Sequence, residues 1–479
     1  MRKILDKGII GLDFEEFKKA FVNGEDSPAE IIARETRLIP VGKKDDELAI
    51  TNVFLSSIRL IKEFKNMIFS DIDIARTSQI YCYTEVSFPI LFQEDKNNKR
   101  RFDGLIICVS NKKIKDATIF EMKSGNEDLE KEQLQLYLDM AKVLKINRLV
   151  TVSNQFALKP SIHPMTGLKT YKTSLYHLSW SRVRTYANIL VNSRNRKIED
   201  LDQLSVMGEV LRYLTDCGAV KTFDSMNSSW QTIMKTLGSG FETIKANQKT
   251  DLINIVNDWI EQEADLALKM SYKLSELGDT VFVSTDKKRN QTLDERVKED
   301  VQILKDSHQL VSYFKIPNAV SPIQVIMDAN GKQIIQTIDV KVNSEKTNSY
   351  NLETIRSFFK ASMKKNMNLY NDIIEEVIVK VKIKGKKDDL TYKLKEFMDK
   401  DNVKIERGIE ISGINIAMIS QLGQKFLGAR SSIEIEEEKV FKFYEGVVQY
   451  CKNPVKQTPK VASTSDSAEI EQNEESVVC

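Results

Sequence analysis

Two acidic residues and one lysine are spaced so that adjacent strands could bring them together. Asp103 lies near the start of the apolar segment 102–109, and Glu121 and Lys123 lie at the end of the apolar segment 117–123. Side chains alternate across a strand, so Glu121 and Lys123 share one face while the residues flanking Glu121 face the core. Because two neighbouring carboxylates cannot both stay ionised cheaply, this arrangement favours a hard divalent cation between them.

We expect Asp103 and Glu121 to hold Mg²⁺ or Mn²⁺, with the backbone carbonyl of Met122 as a further oxygen ligand. Such an ion lowers the pKa of a bound water and neutralises charge that builds on a phosphate. Lys123 would add a positive charge beside the attacking water or the phosphate. These are the parts needed to hydrolyse a phosphodiester. The opposing interpretation is that the three charges form ordinary cross-strand pairs on a solvated strand face.

Hydrophobic periodicity predicts the elements that must position these residues. The first is a long amphipathic helix over 45–69, with Leu48 and Leu60 among the residues of its apolar stripe. The segment 110–116 is expected to be a hairpin-like connection between two strands. The predicted order is a helix over 45–69, strands over 79–89, 102–109 and 117–123, a helix over 128–144, strands over 148–153 and 175–180, and a helix over 182–191.

Asp103, followed by Glu121, Met122 and Lys123 at the end of the next strand, resembles the motif of the PD-(D/E)XK nuclease superfamily. The order of helices and strands is similar to the αβββαβ core of that superfamily, the restriction-endonuclease-like fold. This sequence has Phe102 where the superfamily often has a proline, a position that varies among its members. The resemblance covers about residues 45–190 and implies a metal-dependent nuclease.

The helix after this motif strengthens the resemblance. Gln133 and Tyr137 stand one helical turn apart, hence on one face, and resemble the QxxxY signature of the RecB-like branch. By resemblance they would position nucleic acid near the metal. An acid of the first helix often binds metal in the superfamily, and Glu47 is the position that matches it, with Glu85 as its rival. The resemblance also suggests a role in defence, restriction or repair.

The chain is long enough for several domains. A helical middle region is followed by a second α+β region, where Asn330 and Gly331 between apolar runs predict a hairpin. The expected organisation is a helical segment over 1–40, a nuclease-like domain over 41–195, a helical region over 196–277, a C-terminal α+β domain over 278–452 and a disordered tail over 453–479.

Composition sets the remaining expectations. The formal net charge is +2, so any nucleic-acid binding must rest on local patches. No apolar run is long enough to span a bilayer, and the N-terminus lacks the features of a secretory signal, so we expect a cytoplasmic protein with no membrane partner. The 5 cysteines are scattered, with no disulfide framework or zinc site indicated. Nucleic acid, with DNA favoured, is the expected partner, and self-association into a homo-oligomer stays open.

Two other interpretations of the whole chain remain. A nuclease-like fold without catalytic activity would bind nucleic acid or protein and have no metal affinity, whereas a structural interaction protein would be organised by residues 197–452. The lysines of 377–384 could grip phosphates, but a solvated edge strand explains them slightly better. His177 is expected to be a hydrogen-bonded core residue, His163 a loop residue, and the stripe of the helix 251–277 a core or dimer contact.

Overall fold

A computed structural model of the chain describes residues 47–75, 79–86, 101–110, 113–157, 159–193, 197–239, 248–276, 280–285, 291–386, 388–403, 405 and 408–451. All of them belong to one compact unit, Val41–Cys479, of mixed α/β structure. The helical segment predicted over 1–40 and the disordered tail predicted over 453–479 lie outside the described residues.

A mixed five-stranded sheet contains the predicted site residues Asp103 and Glu121. Its strands lie in chain order: β1, β2 and β3 run antiparallel to one another, and β4 and β5 continue parallel to β3. The elements of this part are α1 (Glu47–Leu60), α2 (Lys62–Asp71), β1 (Gln79–Val86), β2 (Phe102–Ser110), β3 (Lys113–Met122), α3 (Lys131–Leu144), β4 (Arg148–Ser153), β5 (Ser174–Ser179) and α4 (Trp180–Asn192).

Helices cover both faces of this sheet, because alternate residues of its central strands are apolar on each side. On one face, Phe54 of α1 makes edge-on ring contacts with Phe120 of β3 and Trp180 of α4, at centroid distances of 6.1 and 5.8 Å. On the other face, α3 packs the buried side chains of Leu134 and Leu138 into a core that includes strand residues of β3 and β4.

Three predicted boundaries were wrong. The helix over 45–69 is divided at Ile61, whose backbone is extended and whose side chain is fully buried, and Leu60 and Leu48 of its predicted apolar stripe are exposed. The connection over 110–116 is shorter, because Lys115 forms a β-bulge and both strands continue past it. The helix after β3 begins at Lys131 rather than near Asp128.

A second sheet lies further along the chain and is antiparallel throughout, with the strand order β10-β9-β11-β8-β7-β6. Helices before, between and after its strands share one large apolar core with it. The elements are α5 (Leu201–Asp216), α6 (Trp230–Gly238), α7 (Lys249–Ser275), α8 (Leu293–Ser307), β6 (Gln309–Phe314), β7 (Ile323–Asp328), β8 (Gln333–Val340), α9 (Asn348–Lys365), α10 (Met367–Ile373), β9 (Val377–Ile383), β10 (Leu390–Lys393), α11 (Leu394–Met398), β11 (Ile411–Gln421) and α12 (Ala429–Gly446).

The hairpin predicted around Asn330 and Gly331 is confirmed as β7 and β8. The apolar stripe of α7, which includes Trp259, is confirmed as core packing. The edge position expected for the lysine-bearing strand β9 was wrong, because β9 pairs with β10 on one side and β11 on the other. Its lysines still face solvent, and Lys382 forms an exposed ion pair with Asp339 at 2.8 Å.

No helix in the described part of the chain combines the length and the hydropathy needed to cross a bilayer.

Candidate functional site

Asp103 and Glu121 face each other at the end of the β2–β3 pair. Gly104 of β2 pairs with Phe120 of β3 in an antiparallel register. Asp103, which precedes Gly104, therefore lies opposite Glu121, which follows Phe120. Residues directly opposite in an antiparallel pair present their side chains on the same face. Asp103 Oδ2 also accepts a hydrogen bond of 2.7 Å from the backbone N–H of Met122. The sheet therefore brings the two predicted carboxylates together.

Gly104 lets helix α1 approach the strand that carries Asp103. A Cβ atom at this position would lie 2.8 Å from Leu55 Cδ1 and 3.2 Å from Phe120 Cβ. A larger residue would force the Leu55 side chain of α1 to shift, since a contact of 2.8 Å essentially never occurs for a real Cβ atom. The glycine after Asp103 thus contributes to the position of α1, the helix that begins at Glu47.

The Glu121 carboxylate is buried with few partners. Its residue is only 1% exposed, and neither carboxylate oxygen accepts a hydrogen bond of normal geometry. Lys123 Nζ lies 2.8 Å from Glu121 Oε1 as an ion pair, which favours the charged form. Burial and the nearby Asp103 outweigh that pair and raise the pKa of Glu121 to about 8. At neutral pH the carboxyl pair therefore retains a proton.

Glu47, at the first turn of α1, reaches the same cluster. Its Oε2 lies 3.8 Å from Lys123 Nζ. Burial raises the pKa of Glu47 to about 7, and the charge of Asp103 adds to that shift while Lys123 opposes it. Burial also raises the pKa of Asp103. Burial alone would lower the pKa of Lys123, but Glu121, Glu47 and Asp103 reverse this and raise it. The charge of one lysine thus interacts with three carboxyl groups, those of Glu121, Glu47 and Asp103.

Glu85, the rival of Glu47, is engaged elsewhere. It forms an ion pair of 2.8 Å with Arg101, and both side chains are well exposed. Tyr137 is buried, and its hydroxyl donates to the backbone carbonyl of Arg101 at 2.7 Å. Gln133 Nε2 donates to the same hydroxyl at 3.1 Å. The two α3 residues therefore tether the start of the strand that carries Asp103.

Trp180 is a positioning residue that the sequence reasoning missed. Its indole N–H donates to the backbone carbonyl of Lys123 at 2.7 Å, while the N–H of Lys123 donates to Val152 O at 2.8 Å. Both peptide groups of Lys123 are thereby fixed at the end of β3. The sequence predicts Trp180 as the end of the strand over 175–180, and nothing local ties it to Lys123.

A second polar network continues the row that starts at Asp103 and Glu121. Thr151 pairs with Glu121 across β3 and β4, and His177 follows on β5. Thr151 Oγ1 lies 2.8 Å from His163 Nε2 and 2.7 Å from His177 Nδ1. Burial lowers the pKa of His163 to about 4 and that of His177 to about 3, so both rings are neutral. The core role predicted for His177 is confirmed.

The donor set fits a divalent cation in part. The buried oxygens of Glu121 without hydrogen bonds, beside Asp103, are of the kind that Mg²⁺ or Mn²⁺ binds. Within the described ranges, however, no group of three or more carboxylate, histidine or cysteine side chains is arranged to hold a metal ion. Lys123 lies between Glu121 and Glu47 and occupies part of the space that a cation would need, and the N–H of Met122 already donates to Asp103. Carboxyl groups held by a proton and a lysine must rearrange when a cation binds.

Comparison with known proteins adds no relative to this geometry: no protein-family model, curated protein or solved structure matches the chain.

Proposed function

We propose that the chain is a nuclease that hydrolyses phosphodiester bonds with the help of Mg²⁺ or Mn²⁺, with DNA as the favoured substrate. The observation that carries the proposal is the opposition of Asp103 and Glu121 at the end of β3, with Lys123 beside them. A solvated surface pair would not place a glutamate at 1% exposure beside a second buried carboxyl group. Strongly shifted pKa values with specific charge partners are typical of functional sites.

The topology supports the same assignment. Around the site, helices and strands follow the order expected of a PD-(D/E)XK core: helix, three antiparallel strands, helix, then a strand parallel to the third. The site also lies at the end of the strand where the sheet changes from antiparallel to parallel pairing. Two features therefore support the proposal: the order of helices and strands, and the position of the charged side chains. Both were expected from the sequence.

Each residue has a proposed role. Asp103 and Glu121 would hold the ion, Glu47 is a third acid within reach, and Lys123 would stabilise charge on the phosphate. When bound, the ion would supply an activated water and neutralise developing negative charge. Glu121 must release its proton before it can bind the ion, which couples binding to pH.

The supporting residues act through the backbone. Trp180 fixes the carbonyl of Lys123, and Tyr137 fixes the carbonyl of Arg101, two residues before Asp103. Gln133, partly buried beside the Tyr137 hydroxyl, is the α3 residue that we propose to reach the nucleic acid. A cytoplasmic role in defence or repair is part of this proposal and rests on the resemblance of the motif alone.

The test is cleavage of linear, circular and single-stranded DNA and of RNA with Mg²⁺, Mn²⁺ or EDTA. We expect metal-dependent products from the wild type and a loss of about 100-fold or more in Lys123→Ala, the range seen when one charge-stabilising group is removed. Lys360→Ala, on α9, is the matched control and should cleave like the wild type. Identical product patterns from the wild type and Lys123→Ala would refute the proposal.

A second candidate is a nuclease-like fold that binds nucleic acid without cutting it. The lack of a three-ligand cluster in the described part of the chain favours this candidate. It predicts binding that is the same in EDTA and in Mg²⁺, with no product from any substrate. The cleavage panel therefore separates the two candidates without a further assay.

A further inference from the structure

Two exposed tyrosines lie on the edge strand of the sheet that contains the candidate site. Strand β1 pairs with β2, and no other described strand pairs with it. Tyr81 and Tyr83 are 43% and 49% exposed, although tyrosine in a sheet commonly packs against a neighbour. The ring of Tyr81 is steadied by a hydrogen bond of 2.6 Å from Gln79 Nε2 to its hydroxyl.

The pairing register places both tyrosines on the face of the sheet that carries Asp103 and Glu121. Tyr83 pairs with Leu105 of β2, and Tyr81 pairs with Ile107. Leu105 and Ile107 lie two and four residues beyond Asp103, so all three point to the same side. Two strand residues span about 7 Å. Along the strand direction, Tyr83 therefore lies about 7 Å from the level of Asp103, and Tyr81 lies about 7 Å further on.

The opposite face of β1 is turned towards helix α1. Cys82, which lies between the two tyrosines, is close enough to Arg59 of α1 for its charge to act on the thiol. No described element covers the tyrosine face in the same way, and both rings are exposed. Arg101, which is ion-paired with Glu85, lies at the Asp103 end of this face, and the exposed bulge residue Lys115 lies on β3, two residues before Ala117, the partner of Ile107.

We propose that the β1 face formed by Tyr81 and Tyr83, here called the tyrosine strip, binds the unpaired bases of a single-stranded nucleic acid. Each ring offers a flat surface on which a base can stack, and stacking is tolerant of sequence because every base has such a face. Arg101 and Lys115 would lie near the phosphates of the same strand. The strip leads towards Asp103 past the ion pair of Arg101 and Glu85, so a strand held there would be presented to the carboxylates.

This inference rests on the proposed function for its link to cleavage, but binding can be tested without it. Bases in a duplex are stacked on each other and are not available to the strip. The inference therefore predicts a preference for single strands over duplex, which phosphate contacts alone would not give. A second copy of this chain pairing through the β1 edge is the competing occupant, and the experiment must be able to reveal it.

The experiment measures binding by fluorescence anisotropy in EDTA, where no cleavage occurs. The probes are labelled dT20, rU20 and a duplex of the same length, which separate DNA, RNA and duplex recognition. We expect tight single-strand binding by the wild type and a loss of at least about 10-fold in the double variant Tyr81→Leu/Tyr83→Leu, because each stacked base contributes substantially. Leucine keeps the apolar bulk of the strand, and the double variant to Phe should restore binding.

The matched control is Tyr350→Leu, an equally exposed tyrosine at 53% on α9. Thermal melting checks that each variant is folded, and sedimentation gives its oligomeric state. Single-strand binding equal to the wild type in the double leucine variant would overturn the inference, and so would an equal loss for duplex or a wild-type dimer that the variant dissociates. Cleavage of dT20 in Mg²⁺ is measured separately from binding in EDTA: single-strand binding that depends on the two tyrosines, without any cleavage, would support the strip and refute the nuclease, so the two failures are distinguishable.

Discussion

Two clusters of buried carboxylates in the protein differ in how completely their oxygens are paired. In the second region, Arg296 of α8 lies between Glu263 and Asp300, with 2.8 Å from Arg296 Nη2 to Glu263 Oε2. The other oxygen of Glu263 accepts the N–H of Tyr313 at 3.0 Å. At the candidate site, Lys123 Nζ lies 2.8 Å from Glu121 Oε1 and 3.8 Å from Glu47 Oε2, and Glu121 Oε2 accepts no hydrogen bond of normal geometry.

This difference is the one expected between a structural charge cluster and a ligand site. A buried ion set whose lone pairs are all used holds elements together and has no capacity for a ligand. A buried carboxylate oxygen without a hydrogen bond is costly, and a ligand that supplies the missing partner offsets that cost. The Arg296 cluster therefore joins α7 and α8, whereas the carboxylates at the end of β3 are the candidate ligand site.

The largest effect should come from the satisfied cluster. Arg296→Met leaves Glu263 buried without its cation, so we expect a loss of about 3–5 kcal/mol in the free energy of unfolding. Urea denaturation measures this, with Arg430→Met on the exposed surface of α12 as the control. Cleavage per folded molecule should be unchanged. A loss below about 1 kcal/mol would show that the Arg296 cluster does not hold α7 and α8 together.

A substitution at the candidate site should raise the free energy of unfolding, whereas Arg296→Met lowers it. The pKa of Glu121 in the folded protein is raised from 4.5 to about 8, so its protonated form stabilises the fold at low pH and this stability is lost as pH rises through 8. In EDTA at pH 8, Glu121→Gln should therefore raise the free energy of unfolding by about 1–3 kcal/mol, since each pKa unit corresponds to about 1.4 kcal/mol.

The measurement is denaturation of wild type and Glu121→Gln between pH 6.5 and 8.5. Below pH 6.5 the buried neutral residues His163 and His177, with lowered pKa values, destabilise the fold as they gain protons in the unfolded chain. Above it, the two curves should diverge as pH rises. Parallel curves would mean that Glu121 is ionised and satisfied, like Glu263.

The smallest effect is expected from Trp180, which positions the backbone of Lys123. Trp180→Phe keeps the ring packed against Phe54 but removes the N–H that donates to the carbonyl of Lys123. We expect about 1 kcal/mol of lost stability, the usual contribution of one hydrogen bond, and a fall in kcat of about 10-fold with KM unchanged. Trp230→Phe, which loses a hydrogen bond to Phe426 O in the second core, should lower stability alone. Equal kcat values for the two variants would contradict a positioning role.

The sequence predicted the core of the site because that part depends on local rules. Alternation of side chains and antiparallel pairing are sufficient to place Asp103 opposite Glu121, and helical periodicity is sufficient to place Gln133 beside Tyr137. The hairpin at Asn330 followed from turn chemistry in the same way. These features need no knowledge of distant parts of the chain.

What the sequence missed depends on contacts between distant segments. Trp180 and Lys123 are brought together by packing of α4 on β3, which no local pattern encodes. The division of the first helix at Ile61 serves the burial of that side chain, and the interior position of β9 depends on β10, a short polar strand with little hydrophobic signal. Such pairings are decided by tertiary structure rather than by propensity.

The most direct test of the central claim is a calorimetric titration of metal-free protein with Mn²⁺ at pH 8. The account predicts one binding site in the wild type, with affinity reduced at least about 10-fold in Asp103→Asn and in Glu121→Gln, since each removes a charged oxygen ligand. Asp139→Asn, an exposed acid of α3, should bind like the wild type. Absence of Mn²⁺ binding by the wild type, or equal affinity in all four proteins, would contradict the claim that these carboxylates hold a divalent ion.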